Sequence, residues 1–101
     1  MRKATIYING IRAAELIENN RTSFEINYFE SYAGNPISLT MPLKKKKFSF
    51  THFPPYFEGV LPEGSMLEAL LKIKKIDRDD FFSQLIAVGE DLVGHATVKE
   101  D

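Results

Sequence analysis

Hydrophobic and polar positions alternate through the first part of the chain. Ala4, Ile6 and Ile8 are separated by Thr5 and Tyr7, the period of two that marks a strand with one buried face. Asn9-Gly10 follows, a pair that tolerates positive φ and therefore favours a two-residue hairpin. A second strand is expected from Ile11 to Ile17, closed by the polar turn Glu18-Asn19-Asn20-Arg21. Phe24, Ile26 and Tyr28 set out a third strand. After the break Tyr32-Ala33-Gly34-Asn35-Pro36, the alternation resumes. Ile37, Leu39, Met41 and Leu43 are expected on one face of a fourth strand, with Pro42 suiting an edge or strand end. Phe48 and Phe50 begin a short return strand, and Pro54-Pro55 stops regular structure.

Beyond Pro62 the period changes. Met66, Leu67, Leu70, Leu71 and Ile73 recur at helical spacing, predicting a helix over 62–76 supported by a Glu68–Lys72 pair. A second helix is expected to start at an Asp77 N-cap, with Ile76 and Phe81 as a hydrophobic staple. Its apolar face is Phe81, Phe82, Leu85 and Ile86, and Gly89 terminates it. Gly94 to Lys99 reads as a final strand with Ala96 and Val98 inward. Strands, then two helices, then a strand describe an α+β fold: a small antiparallel sheet or barrel-like N-terminal part, two helices packed against it and a final short strand.

Composition narrows the function. The 101 residues form one domain's worth of chain, 1–101, with 44% hydrophobic and 27% charged residues, ordinary for a globular protein. The formal net charge of -1 supplies no global field for nucleic acid or membrane. Cysteine is absent, which excludes disulfides, thiol nucleophiles and zinc–thiolate sites and fits a reducing cytoplasm. No apolar run reaches the roughly 20 residues of a membrane span, and Met1-Arg2-Lys3 leads into a strand pattern instead of a signal-peptide core.

Catalytic patterns are missing. His52 and His95 stand far apart and in no metal-ligand motif, so both are expected to be structural or surface residues. Glu58, Glu63 and Glu68 recur every five residues, which does not align them on a helix face. There is no nucleophile elbow, P-loop or dinucleotide fingerprint. The chain therefore reads as a non-enzyme with no cofactor and no metal. Lys44-Lys45-Lys46-Lys47, followed by Phe48, Phe50 and Phe53, is the one feature that suggests a nucleic-acid-binding module, with aromatics as a stacking platform. The simpler reading is a solvated turn leading into a buried strand, since Phe48 and Phe50 fall on one face.

Phe53-Pro54-Pro55-Tyr56-Phe57-Glu58-Gly59-Val60-Leu61-Pro62-Glu63-Gly64 is the most unusual segment. With Leu39-Thr40-Met41-Pro42-Leu43 before it, and Phe82 to Gly89 and Gly89-Glu90-Asp91-Leu92-Val93-Gly94 after it, the chain resembles the N-terminal subdomain of the HipA family of serine/threonine kinases. Four pieces occur in the family's order across nearly the whole chain, with His95 where the family usually has a small residue. The kinase fold that follows in the family would begin where this chain ends, and no kinase catalytic motif occurs. As a stand-alone subdomain, the chain resembles the HipS class of three-gene systems. That resemblance implies a bacterial, cytoplasmic antitoxin. Its partner would be a HipT-like serine/threonine kinase toxin, joined by a HipB-like DNA-binding protein, with no direct contact to nucleic acid. Phe57 and Leu61 are expected in the core. Tyr56, Glu63, Gly64, Ser65 and Met66, at or just beyond the turn into the helix, are the expected partner-binding residues.

Overall fold

The computed structural model describes residues 1–92 and 94–101. Strands β1 (Arg2–Ile8), β2 (Ile11–Asn20), β3 (Ser23–Tyr28) and β4 (Lys47–Phe50) precede helices α1 (Pro55–Glu58), α2 (Gly64–Lys74) and α3 (Phe81–Val88), and β5 (Ala96–Glu100) follows them. The strands form one antiparallel sheet in the order β4-β3-β2-β1-β5. This is the expected α+β architecture, with one additional helical turn.

The hairpin between β1 and β2 forms as its sequence demands. Asn9 and Gly10 take φ of 51° and 82°, and Ile8 pairs with Ile11. Both turn residues in the left-handed region match the twist of the flanking strands. Further along, the register shifts between Ile6 and Tyr7, so that Ala13 becomes an extra residue in β2 and is buried beside Ala14.

One face of the sheet carries the core. Ala4, Ile6, Ile8, Leu16, Ile26, Ala96 and Val98 are all buried there. Phe53, Phe57, Leu61, Phe82 and Leu85 close over them from the helical layer. The sheet's other face is mostly polar, with Lys3, Glu15, Glu25, Asn27 and Lys99.

The expected fourth strand over 37–43 does not form. The chain from Phe29 to Lys46 is irregular, and Leu39 is 96% exposed where alternation placed it inside. Pro36 and Pro42 lack the N–H groups a ladder needs. A side chain supplies the missing bonds instead. The Ile37 N–H donates to the Tyr28 hydroxyl at 2.8 Å, and that hydroxyl donates to the Met41 carbonyl at 2.6 Å. Ile37 and Met41 are thereby anchored in the core while the residues between them turn outward. The return strand carrying Phe48 and Phe50 does form, paired with β3.

Several helix boundaries differ from expectation. Pro54-Pro55 begins a helical turn: Pro55 occupies the first position of α1, where its missing N–H costs nothing. Pro62 lies before α2. Glu68 pairs with Arg78 at 2.7 Å and is not recorded with Lys72. The N-cap of α3 is Asp80, not Asp77, which also removes the Ile76–Phe81 staple; the Asp80 carboxylate accepts from the Ser83 N–H at 3.2 Å. Asp77 serves through its carbonyl, which with that of Arg78 accepts from the buried Gln84 amide. Gly89 ends α3 as expected, but with φ of -58°. Its requirement for glycine is steric, because a Cβ there would stand 2.1 Å from the Val98 carbonyl oxygen. The turn reading that includes Val93 lies partly outside the described residues.

Candidate partner-binding surface

The site is built on the corner where α1 meets α2. The Phe57 and Glu58 N–H groups both donate to the Pro54 carbonyl at 3.0 Å, which closes the α1 turn and aims Phe57 into the core. Phe57 and Leu61 are buried, as expected. Tyr56, on the same turn, is half-buried and packs edge-on against Phe57 at 5.1 Å.

Helix α2 follows with an unusual balance. It is amphipathic in sequence, yet none of its residues is buried. Leu67, Leu70 and Leu71 are half-buried, while Met66 and Ile73 are each 73% exposed. Met66, Leu70 and Ile73 recur at the spacing of a single helix face. Long apolar side chains at that spacing, left open to water, form a surface suited to a partner.

Beside the start of α2 lies a groove of about 770 Å³, walled by Val60, Leu61, Pro62, Met66, Val88 and Leu92. Glu63 and Asp91 stand at its rim. The structure therefore brings Glu63 and Met66 to one groove and leaves Gly64 and Ser65 exposed next to them on the first turn of α2. Tyr56 is separate: it lines a smaller cavity of about 270 Å³ with Met41, Phe48, Phe50, Pro54 and Pro55. Val60, Val88 and Leu92 were not among the expected site residues. Only the tertiary placement of α3's C-terminal end beside the segment joining α1 to α2 turns them into a groove wall.

The principal charged cluster lies elsewhere and joins the fold together. Arg2 contacts Glu18 at 2.6 Å and Asp80 at 2.8 Å, donates to the Ser83 hydroxyl at 2.9 Å, and stacks over the Phe82 ring at 4.7 Å. Burial pushes the Asp80 carboxyl up, but hydrogen bonds from Arg2 and from Ser83 outweigh it and hold the group at about 2. The hydrogen bond to Glu18 in turn raises the Arg2 guanidinium above its ordinary value. This network ties β1, β2 and α3. Arg2 is paired with both carboxylates, and Arg21 approaches Asp80 at 3.9 Å.

His52 and His95 are exposed, and no group of three or more metal-ligating side chains is found among the described residues. In the lysine run, Lys45 lies over the Phe48 ring at 5.4 Å, while Phe48 and Phe50 pair into β4 and are half-buried on the core side. Phe53 is buried edge-on against Phe24. Phe53 is thus committed to the core, whereas Phe48 and Phe50 keep part of each ring open to the cavity beside Tyr56. No helix among the described residues is long and apolar enough to cross a membrane.

An antiparallel sheet thus carries a helical layer on one face, with Met66 and Ile73 of α2 exposed on that layer. Its relatives agree on the fold. The model of the HipA N-terminal domain matches residues 4–99, and the chain belongs to that family. The solved N-terminal domain of HipA toxin matches with a TM-score of 0.78 and 28% identity, over 100% of this chain and 93% of that one. An uncharacterized protein of Haemophilus influenzae is 29% identical over 101 residues, 100% of this chain and 94% of the relative. The matched region is the N-terminal domain of the family and not its kinase catalytic domain.

Proposed function

We propose that this chain is a non-catalytic regulatory subunit of a HipA-type toxin–antitoxin system. It binds a HipT-like serine/threonine kinase in the bacterial cytoplasm and restrains it, in the manner of the HipS class. The observation that carries this reading is helix α2, which exposes Met66 and Ile73 and buries none of its residues. A helix of this composition gains its stability in water chiefly by burying an apolar face. On its own, α2 leaves much of that face wet. Glu63, Gly64, Ser65 and Met66 form the first part of the contact, and Tyr56 contributes from the adjoining turn. A HipB-like DNA-binding protein would complete the assembly, so that any link to DNA is indirect.

The test is co-expression with the kinase encoded beside the gene. The two proteins are expected to co-purify, and growth inhibited by the kinase is expected to be restored. Introducing Ser65→Arg together with Met66→Glu should abolish both effects while leaving the circular dichroism spectrum unchanged. Co-purification without rescue would reduce the role to assembly. Failure of the wild-type chain to bind would overturn the reading.

A further inference from the structure

The two edges of the sheet are finished differently. Antiparallel pairing alternates residues that bond across the ladder with residues whose N–H and C=O groups point away. On the β5 edge, the outward N–H of Val98 is taken by the Gly89 carbonyl at 2.9 Å. On the β4 edge, the Tyr28 N–H donates to the Lys46 carbonyl at 2.8 Å, which sets the alternation. Phe48 and Phe50 therefore bond to β3, and Lys47 and Ser49 turn their backbone groups outward. Among the described residues no backbone group pairs with Lys47 or Ser49 on that side. Both residues are exposed.

A cavity adjoins this open edge on the core side of the sheet. It is the space of about 270 Å³ between Met41, Phe48, Phe50, Pro54, Pro55 and Tyr56. That is below the roughly 300–1,000 Å³ of a typical small-molecule site, and it suits one large side chain. In an added strand, alternate side chains would point the same way as Phe48 and Phe50. One of them would enter the cavity. The lysine run, Lys44 to Lys47, surrounds the approach.

We propose that β4 is a second docking edge, one that accepts an extended acidic protein segment carrying a large apolar residue. The segment adds as a sixth strand through the backbone of Lys47 and Ser49, and its apolar side chain fills the cavity. Charge selects this occupant. Self-pairing of two copies through β4 would bring two lysine runs together, which like-charge repulsion opposes. An acidic strand meets the same lysines with attraction. The inference rests on the edge and the cavity; it shares Tyr56 with the proposed kinase contact and uses no residue of α2.

The probe is a displayed library of random peptides selected on the intact protein. Selected peptides are expected to place acidic residues around one aromatic or large aliphatic residue. Adding one of them should shift the amide resonances of Lys47 and Ser49 and slow their hydrogen exchange. Ser49→Pro removes an outward N–H without touching the β3 ladder and should weaken that peptide about two- to tenfold, the effect of one lost backbone bond. Lys45→Glu with Lys47→Glu should weaken it as well, with the fold intact by circular dichroism. Three results would overturn the proposal: no enrichment, peptides whose binding survives both variants, or an edge protected equally without peptide because the protein dimerises there. Preferential, steeply salt-dependent capture of a mixed-sequence oligonucleotide by the same lysines, with no peptide bound, would also overturn it.

Discussion

Arg2 and Asp80 lie 78 positions apart and meet at 2.8 Å, so the first strand and the last helix are locked at one point. The contact is mostly shielded from water, with the Asp80 side chain 15% exposed. Asp80 has two tasks, since its carboxylate also caps α3. Asp80→Asn separates them, because asparagine caps a helix about as well as aspartate but carries no charge. The substitution should cost about 1.5–3 kcal/mol in urea denaturation, the range for a hydrogen bond to a charged group.

The same pair sets an acid limit. The folded-state carboxyl of Asp80 stands at about 2, below its ordinary value of 3.8. A depressed carboxyl contributes stability that is fully present above its unfolded value and is lost as pH falls through the folded one. Thermal midpoints of the wild type should therefore hold steady above about pH 5 and fall between about pH 4 and 2. The Asp80→Asn variant should start lower at neutral pH and decline less over that window. A parallel decline in both proteins would show that Asp80 is not the responsible group.

Tyr28→Phe should leave the core ring in place and strand two buried backbone groups, the Ile37 N–H and the Met41 carbonyl. Each unsatisfied buried group costs about 1–3 kcal/mol. The loss should be local as well as global: hydrogen exchange at Ile37 is expected to accelerate more than at Ile26, which stays paired in the sheet.

These two residue pairs also mark where the sequence stops being legible. Alternation located β1, β3 and the Phe48–Phe50 strand because each is paired to a neighbour and half-covered, the condition that produces a period of two; β2 is placed by the Asn9-Gly10 turn, and it runs on to Asn20 through residues expected to turn. The same period at Ile37, Leu39, Met41 and Leu43 arises from a loop pinned at two points by one tyrosine hydroxyl. A bond from Tyr28 leaves no trace in the local pattern. Likewise the local pattern favours Asp77 as the cap of α3, while the residue that caps it, Asp80, also bonds Arg2 from the other end of the chain. At the partner surface, helical periodicity placed Met66 correctly on a helix. It does not report whether the face it defines is covered, so the exposure of Ile73 and the groove wall of Val60, Val88 and Leu92 emerged only from the fold.

If α2 is an interface, its exposed residues should matter for association and not for folding. Ile73→Asp should change stability by no more than about 0.5 kcal/mol, as for ordinary surface positions. Phe57→Ala, on the adjoining turn but buried, should cost about 3–5 kcal/mol. Measured side by side against the co-expressed kinase, Ile73→Asp is expected to lose binding while remaining folded. Strong destabilisation by Ile73→Asp would instead show that α2 supports the core.

Gly89 gives the sharpest test of packing against backbone preference. Its φ of -58° is helical, and at such a position alanine ordinarily stabilises by about 0.4–1 kcal/mol through the unfolded chain. Here the added Cβ would lie 2.1 Å from the Val98 carbonyl oxygen, a backbone atom held in β5 by its ladder to β1. Neither side can yield without moving α3 away from the sheet. The steric term should win, reversing the sign, and Gly89→Ala should destabilise by about 1–3 kcal/mol, the usual cost of overpacking. The displacement would also lengthen the Val98 N–H bond to the Gly89 carbonyl, so faster exchange of the Val98 amide is the local signature. An unchanged or raised denaturation midpoint would mean that α3 and β5 have freedom to separate, and that the groove walled by Val60 and Val88 is more adaptable than its packing indicates.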